Sequence, residues 1–190
     1  MPHALHQQPV SINPPAEMLG ECNAIIAGHS GKHVENVIGA LSIKWMPAGW
    51  SIWRTARATY RLEGDRFLVL NHGCAYSLAR EDGEPQESFC PFFAAGFVEQ
   101  ARSVLVSTDA ALLDRGPDRS TEPLEFRQQL YENERVLGQL RRMRALMCSG
   151  ATGGALEGQF HDLAESLLST RVDVEQAIDR LPARRRATRD

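Results

Sequence analysis

The feature that most narrows the fold is a succession of strand-length segments between residues 41 and 93, separated by turn-forming residues at close spacing. Leu41-Ser42-Ile43-Lys44-Trp45-Met46 alternates apolar and polar side chains, the period of a half-buried strand, and stops at Pro47-Ala48-Gly49. Trp50 to Leu62 follows, then the turn-like Glu63-Gly64-Asp65-Arg66, the apolar run Phe67-Leu68-Val69-Leu70, the break Asn71-His72-Gly73, and Cys74-Ala75-Tyr76-Ser77-Leu78. Beyond Glu81-Asp82-Gly83-Glu84-Pro85 comes Glu87-Ser88-Phe89-Cys90-Pro91-Phe92-Phe93, whose proline suits an edge or a strand end because it cannot donate to a ladder. Short strands at this spacing predict a sandwich or a barrel.

The flanks differ in character. Residues 1–40 carry prolines at 2, 9, 14 and 15 and glycines at 20, 28, 31 and 39, which predicts an irregular lead-in. After the strands the period lengthens: Phe97, Ala101, Val104 and Leu105 share one face of a helix from about 96 to 107. The polar stretch 114–120 reads as a loop. Leu124, Phe126 and Gln128 alternate as a strand would, but residues 124–131 stay ambiguous, whereas Asn133 to Met147 has a helical apolar face. In the last segment Phe160, Leu167, Val174 and Leu181 recur every seven residues, with Leu156, Leu163, Thr170 and Ala177 in the second seam position. Such a run either packs against a second copy, with Phe160, Leu163, Leu167 and Val174 as the dimerisation seam, or buries one face on its own domain. The resulting plan is a lead-in at 1–40, a β-rich unit with its following helix at 41–110, and a helical part at 120–190. The fold class is α+β, mainly β.

Composition bounds the function. A chain of 190 residues, 43% hydrophobic and 24% charged, can bury a core as one domain with at most an appendage. A net charge of -3 supplies no overall field for nucleic acid or an anionic membrane, although the arginine cluster 184–186 and 189 closes the chain. Its four cysteines are scattered and form no CxxC, so reduced thiols are expected. The start lacks the basic-then-apolar order of a secretory signal, and no stretch reaches the length of a membrane span; a cytoplasmic protein is the expectation.

Few residues mark out chemistry. There is no GxSxG, no GxxxxGK[ST] and no GxGxxG. His29 and His33 are four apart, but Ser30-Gly31-Lys32 between them offers no glutamate base and disfavours a helix. His72 lies in Asn71-His72-Gly73, where a tight connection is one reading and a ligand contact from the rim of a barrel is the other. Neither a metal site nor a cofactor is expected. What the strand region does hold is many large amphipathic side chains: Trp45, Trp50, Trp53, Tyr60, Phe67, Tyr76, Phe89, Phe92 and Phe93, interleaved with Arg54, Arg57 and Arg61. They either fill the interior or line a pocket for a small, partly apolar molecule oriented by an arginine. Trp53, Arg57, Tyr60, His72 and Tyr76 are the candidate ligand-binding residues.

The stretch Leu62-Glu63-Gly64-Asp65-Arg66-Phe67-Leu68-Val69-Leu70-Asn71-His72-Gly73, continued by Tyr76-Ser77-Leu78, resembles the Gly-Asp turn and following strands of a cupin. More specifically, it resembles the N-terminal sensor domain of AraC-type transcription regulators. Ser42-Ile43-Lys44-Trp45 before it, Glu87 to Phe93 with Gly96-Phe97 after it, and the connector-like Leu181 to Arg189 agree with the same resemblance. It implies a cupin-like β-barrel followed by helices, a small-molecule effector in the barrel and a homodimer. The family's pair of helix-turn-helix motifs has no counterpart here, so DNA would be reached only through a separate C-terminal domain. An enzyme on the same fold, a small metal-dependent cupin using His72 with carboxylates, is the alternative.

Overall fold

The computed structural model describes residues 10–28, 33–79, 86–106, 123–151 and 153–179, the last eight of these by backbone alone. Ten strands are described: β1 (Ser11–Ile12), β2 (Ala24–Gly28), β3 (Val34–Ile38), β4 (Ser42–Ala48), β5 (Trp50–Thr55), β6 (Thr59–Glu63), β7 (Phe67–Leu70), β8 (Ala75–Ala79), β9 (Glu87–Phe92) and β10 (Leu130–Tyr131). They form a six-stranded sheet in the order β1-β2-β9-β4-β7-β10 and a four-stranded sheet in the order β3-β8-β5-β6. Three helices follow: α1 (Phe97–Val106), α2 (Glu134–Cys148) and α3 (Gly154–Asp179). Among the described residues the strands form two sheets with no ladder joining them.

The larger sheet is the middle of three layers, because its strands send alternate side chains to opposite faces. Ile43 and Trp45 of β4, Phe67 and Val69 of β7, Phe89 of β9 and Ile25 of β2 join the core shared with the helices. Their neighbours Met46, Leu68, Leu70, Cys90, Phe92 and Ala24 join a second core with Trp53, Leu62, Tyr76 and Leu78 of the smaller sheet. That two-sided burial explains the near-continuous apolar runs at 67–70 and 89–93.

The structure corrects or resolves three of the sequence readings. Within the first 40 residues, the described segments 10–28 and 33–40 are not an irregular lead-in but carry β1, β2 and β3. The short apolar run Ala24-Ile25-Ile26-Ala27 pairs antiparallel with β9, from Ala24↔Phe92 to Gly28↔Ser88, so its strand character comes from a partner more than 60 residues away. Pro91 is not on an edge strand, since β9 lies between β2 and β4, but it does stand at the strand's end, one residue before Phe92 closes it. The pairing to β4 brackets the proline, with Ser42↔Phe92 on one side and Trp45↔Phe89 on the other. Of the ambiguous stretch 124–131, only Leu130 and Tyr131 pair, against Leu68 and Phe67.

The helices match their periodicity closely. Asn133 caps α2 by accepting from the Val136 N–H at 3.1 Å, and Val136, Leu137, Leu140 and Met143 are buried along one face. Arg144 on α2 meets Glu87 of β9 with two parallel bonds, 2.6 and 2.7 Å, which fastens the helical layer to the middle sheet. On α3, Phe160, Leu163 and Leu167 are fully buried in this chain's own core beside Leu156 and Ala164. The described part of the heptad stripe is therefore buried inside the monomer, and its aromatic member Phe160 packs edge-on against Phe93 and Phe97. Val174 lies in the part of α3 whose side chains fall outside the described residues.

Leu163→Ala should accordingly destabilise the monomer by about 3 kcal/mol in urea denaturation, the ordinary size of a core cavity. A loss under about 1 kcal/mol would place that face of α3 away from the core.

Candidate functional site

Lys44 is the residue the core would not be expected to hold. On β4 it pairs with Leu68, between Ile43 and Trp45, and the alternation that turns those two toward the helices turns Lys44 toward the smaller sheet. Its exposure is 0%. Among the described residues its ammonium has no hydrogen-bond partner. Instead it lies 3.6 Å from the ring centre of Phe92, 4.8 Å from that of Tyr76 and 5.3 Å from that of Trp53, an aromatic cage drawn from both sheets. Aromatic faces attract a cation most when water is excluded, which recovers part of the desolvation cost. They do not replace a counter-ion. Burial pulls the Lys44 pKa down to about 8, against the weaker opposing influence of Cys90 and Cys74.

The cage is braced by its neighbours. The Trp53 indole N–H donates to Ser51 Oγ at 2.8 Å, and the Trp53 and Tyr76 rings lie 5.4 Å apart. Gly39 lets the chain pass this layer, since a β-carbon there would stand 3.1 Å from Tyr76 Cε1. Burial also raises the Tyr76 pKa, which keeps its phenol protonated.

Of the sequence candidates, Trp53 and Tyr76 meet at Lys44, both almost fully buried. Tyr60 stands opposite Trp53 in the β5–β6 ladder and borders the same core, but its hydroxyl donates to the Gln128 carbonyl at 3.0 Å. Arg57 is not brought into the cage. It lies exposed in the β5–β6 turn, where its backbone N–H donates to Thr55 Oγ1, because the hairpin needs a turn there. His72 is exposed in the β7–β8 turn and borders a different space, a groove of about 380 Å³ lined also by Leu41, Phe93, Glu99, Leu124 and Glu125. Among the described residues no three His, Cys, Asp or Glu side chains are grouped to hold a metal ion. Sequence reasoning missed Lys44, and it counted Phe92 among the strand aromatics without singling it out. The available signal was a lysine flanked by strongly apolar neighbours on a strand covered on both sides.

Residues 123–131 strap the rim of the β layers to the helices. Asn71 grips the strap at Phe126, donating from Nδ2 to its carbonyl at 2.8 Å and accepting its N–H at 2.9 Å. The Leu124 N–H donates to Glu99 on α1, and Gln128 Nε2 donates to Cys74 Sγ. The strap ends two residues before α2 begins.

Neither the protein-family models nor the curated proteins contain a match to this sequence. Solved structures do resemble the fold. Apo ToxT of Vibrio cholerae, from strain SCE256, superposes with a TM-score of 0.51 at 13% identity over 80% of this chain and 56% of that one. ToxT from strain O395 gives 0.47 at 10% identity over 80% and 54%. The same protein bound to (E)-4-(8-methylnaphthalen-1-yl)but-3-enoic acid gives 0.45 at 12% identity over 80% and 56%. ToxT is a regulator of the AraC family. The chain thus spans little more than half the length of these neighbours, and the likeness is one of fold. Among the described residues no helix is long and apolar enough to cross a membrane.

The buried charge makes a prediction about pH. The folded pKa of Lys44, about 8, lies below its ordinary 10.5, so the unfolded chain binds the proton more tightly. The cost to folding is full below pH 8 and fades between 8 and 10.5; the gap corresponds to about 3 kcal/mol before the rings' contribution. Lys44→Met should therefore be more stable than the parent by about 1–3 kcal/mol at pH 7, with the difference shrinking by pH 10 in parallel denaturation series. Other groups facing this layer, Cys74, Cys90, Tyr60 and Tyr76, are common to both proteins and cancel in the comparison. A variant less stable than the parent at pH 7 would remove the argument.

Proposed function

We propose that this chain is the effector-sensing part of an AraC-type transcription regulator, holding a small, partly apolar molecule between the two sheets beside Lys44, Trp53 and Tyr76. The observation that carries the reading is the aromatic cage around a buried ammonium, in a fold like that of ToxT. A cage of this kind offers stacking faces and one charge for orientation, groups that small-molecule sites commonly use. Support also comes from the residues that carried the family resemblance, since the Gly64-Asp65 turn, β7 and Tyr76 build the layers around it.

The route to the helices is short. Lys44 shares β4 with Ile43 and Trp45, which touch the helical core, and the strap runs from Asn71 to α2. A ligand favouring one arrangement of this assembly shifts its population by the difference in affinity between the two states. In this reading the regulator is a cytoplasmic homodimer and reaches DNA through helix-turn-helix motifs outside this domain, whose spacing the helical layer sets. The pairing surface is then not the stripe of Phe160, Leu163 and Leu167, which the monomer core occupies.

The test is thermal melting of the chain against a panel of aromatic alcohols, aromatic carboxylates and alkylamines. At least one class should raise the melting temperature saturably by several degrees, since a ligand at 100 times its Kd adds about 2.7 kcal/mol. Trp53→Phe should weaken that response. A panel in which no class shifts the melt would sink the proposal.

A further inference from the structure

We propose that the groove at the rim of the β layers is a separate small-molecule site, one that takes a cation: a primary amine on a compact apolar body. It stands apart from the cage at Lys44 and does not rest on the reading given for that cage.

The groove measures about 380 Å³, inside the range of about 300–1,000 Å³ in which small ligands are commonly held. Three parts of the chain that are remote in sequence build it. They are the β7–β8 turn with Asn71 and His72, the β9–α1 connection with Glu99 just beyond it, and the start of the strap. Each wall is fastened. Asn71 holds the strap at Phe126 through both polar atoms of its side chain, the Leu124 N–H donates to Glu99 at 2.9 Å, and the Phe93 N–H donates to the Leu41 carbonyl at 2.9 Å. A ligand therefore meets walls already in place, and little ordering opposes its binding.

The lining sets the chemistry. Leu41, Phe93 and Leu124 are buried members of the core shared with the helices, and they give the groove an apolar surface. Two carboxylates share that lining. Glu99 lies in the first turn of α1. Glu125 is the exposed residue between buried Leu124 and Phe126, so the extended strap that sends those two inward leaves Glu125 outside. His72 is the remaining titratable group, and no lysine or arginine lines the groove. A concave wall bearing one sign of charge concentrates its field in the space it encloses. The groove is thus complementary to a cation and repels a carboxylate, the reverse of the cage, where the fixed charge is an ammonium.

An amine on an apolar body meets both demands, since its ammonium donates to carboxylate oxygens while its body covers the apolar surface. A bare metal ion is a poorer match, because among the described residues no three His, Cys, Asp or Glu side chains are grouped to hold one. Glu99 can serve the Leu124 N–H and a ligand together, because a carboxylate has about four acceptor positions. Bonded to Glu99 of α1 and to Glu125 of the strap, one ammonium would tie the two elements to each other.

The experiment uses 2-phenylethylamine, 2-phenylethanol and 3-phenylpropionate, which present similar bodies with different charge. Binding to the chain at pH 7 is read by calorimetric titration and by the melting temperature. We expect saturable binding of the amine, with the alcohol and the acid weaker by about 10-fold or more. Glu125→Gln and Glu99→Gln should each weaken the amine by about 3- to 10-fold, the span of a part-exposed charge pair, and leave the alcohol unchanged. The glutamine at 99 keeps an acceptor for the Leu124 N–H. Ala95→Trp fills the groove from an exposed position and should abolish amine binding. Trp53→Phe and Lys44→Met, which alter the cage, should leave the amine's affinity at the parent value. Each variant's own melting transition shows that it is folded, and either glutamine variant alone carries the test. Equal binding of amine and alcohol, amine binding that survives both glutamine variants or Ala95→Trp, or amine binding lost in Trp53→Phe would overturn the proposal. Silence of the amine overturns it too, whereas the effector reading falls only if the wider panel is silent.

Discussion

A sheet covered on both faces imposes a condition that no other part of this molecule escapes: every side chain along its inner strands must have a buried destination. β4, β7 and β9 meet the condition by dividing their residues between two cores, one shared with the helices and one shared with the smaller sheet. The helices can pack where they do because Ile43, Trp45, Phe67, Val69 and Phe89 present a continuous apolar floor. The smaller sheet has its place because Leu68, Leu70 and Phe92 present another. Apolar burial of this extent is the main favourable term in the fold, and polar groups inside it must each find a partner.

Two charged residues on the middle sheet answer that requirement differently. Glu87 meets Arg144 in a bidentate bridge with a side-chain exposure of 8%, and the bridge also fixes α2 on the sheet. Its geometry satisfies both carboxylate oxygens, the arrangement in which a buried ion pair comes closest to offsetting its desolvation. Lys44 has ring faces in place of an acceptor. A methionine would fill much the same volume without the electrostatic penalty, so the lysine is a local cost inside an otherwise consistent core. Departures of this kind concentrate where a molecule does something other than fold.

Much of the architecture is legible in the residues, and the parts that are not have physical reasons. The helices at 97–106 and 134–148 fall within a residue or so of the boundaries their apolar faces predict, because a helix is specified by its own neighbours. β2 and β3 escape notice because prolines and glycines surround them and their partners, β9 and β8, are remote in sequence. Alternation places Lys44 on the polar face of a half-buried strand. Only the smaller sheet, folded over that face, makes it interior. For Trp53 and Tyr76 the aromatic content of the strands was enough to single them out, whereas Arg57 and His72 belong to the turns that connect those strands. The heptad period in α3 is real, and its members Leu156, Phe160, Leu163 and Leu167 bury one face of the helix on the chain's own core.

β4 carries a consequence of its own. Because Ile43, Lys44 and Trp45 are consecutive on one backbone, the two cores meet along a single strand with no spacer between them. A displacement of this strand by a fraction of a pleat would bear on both cores at once, since Ile43 and Trp45 fill one and Lys44 faces the other. Close-packed interiors yield little to such movement and pass it on. The strand is therefore a common wall of both cores, held along its length by the ladders to β7 and β9.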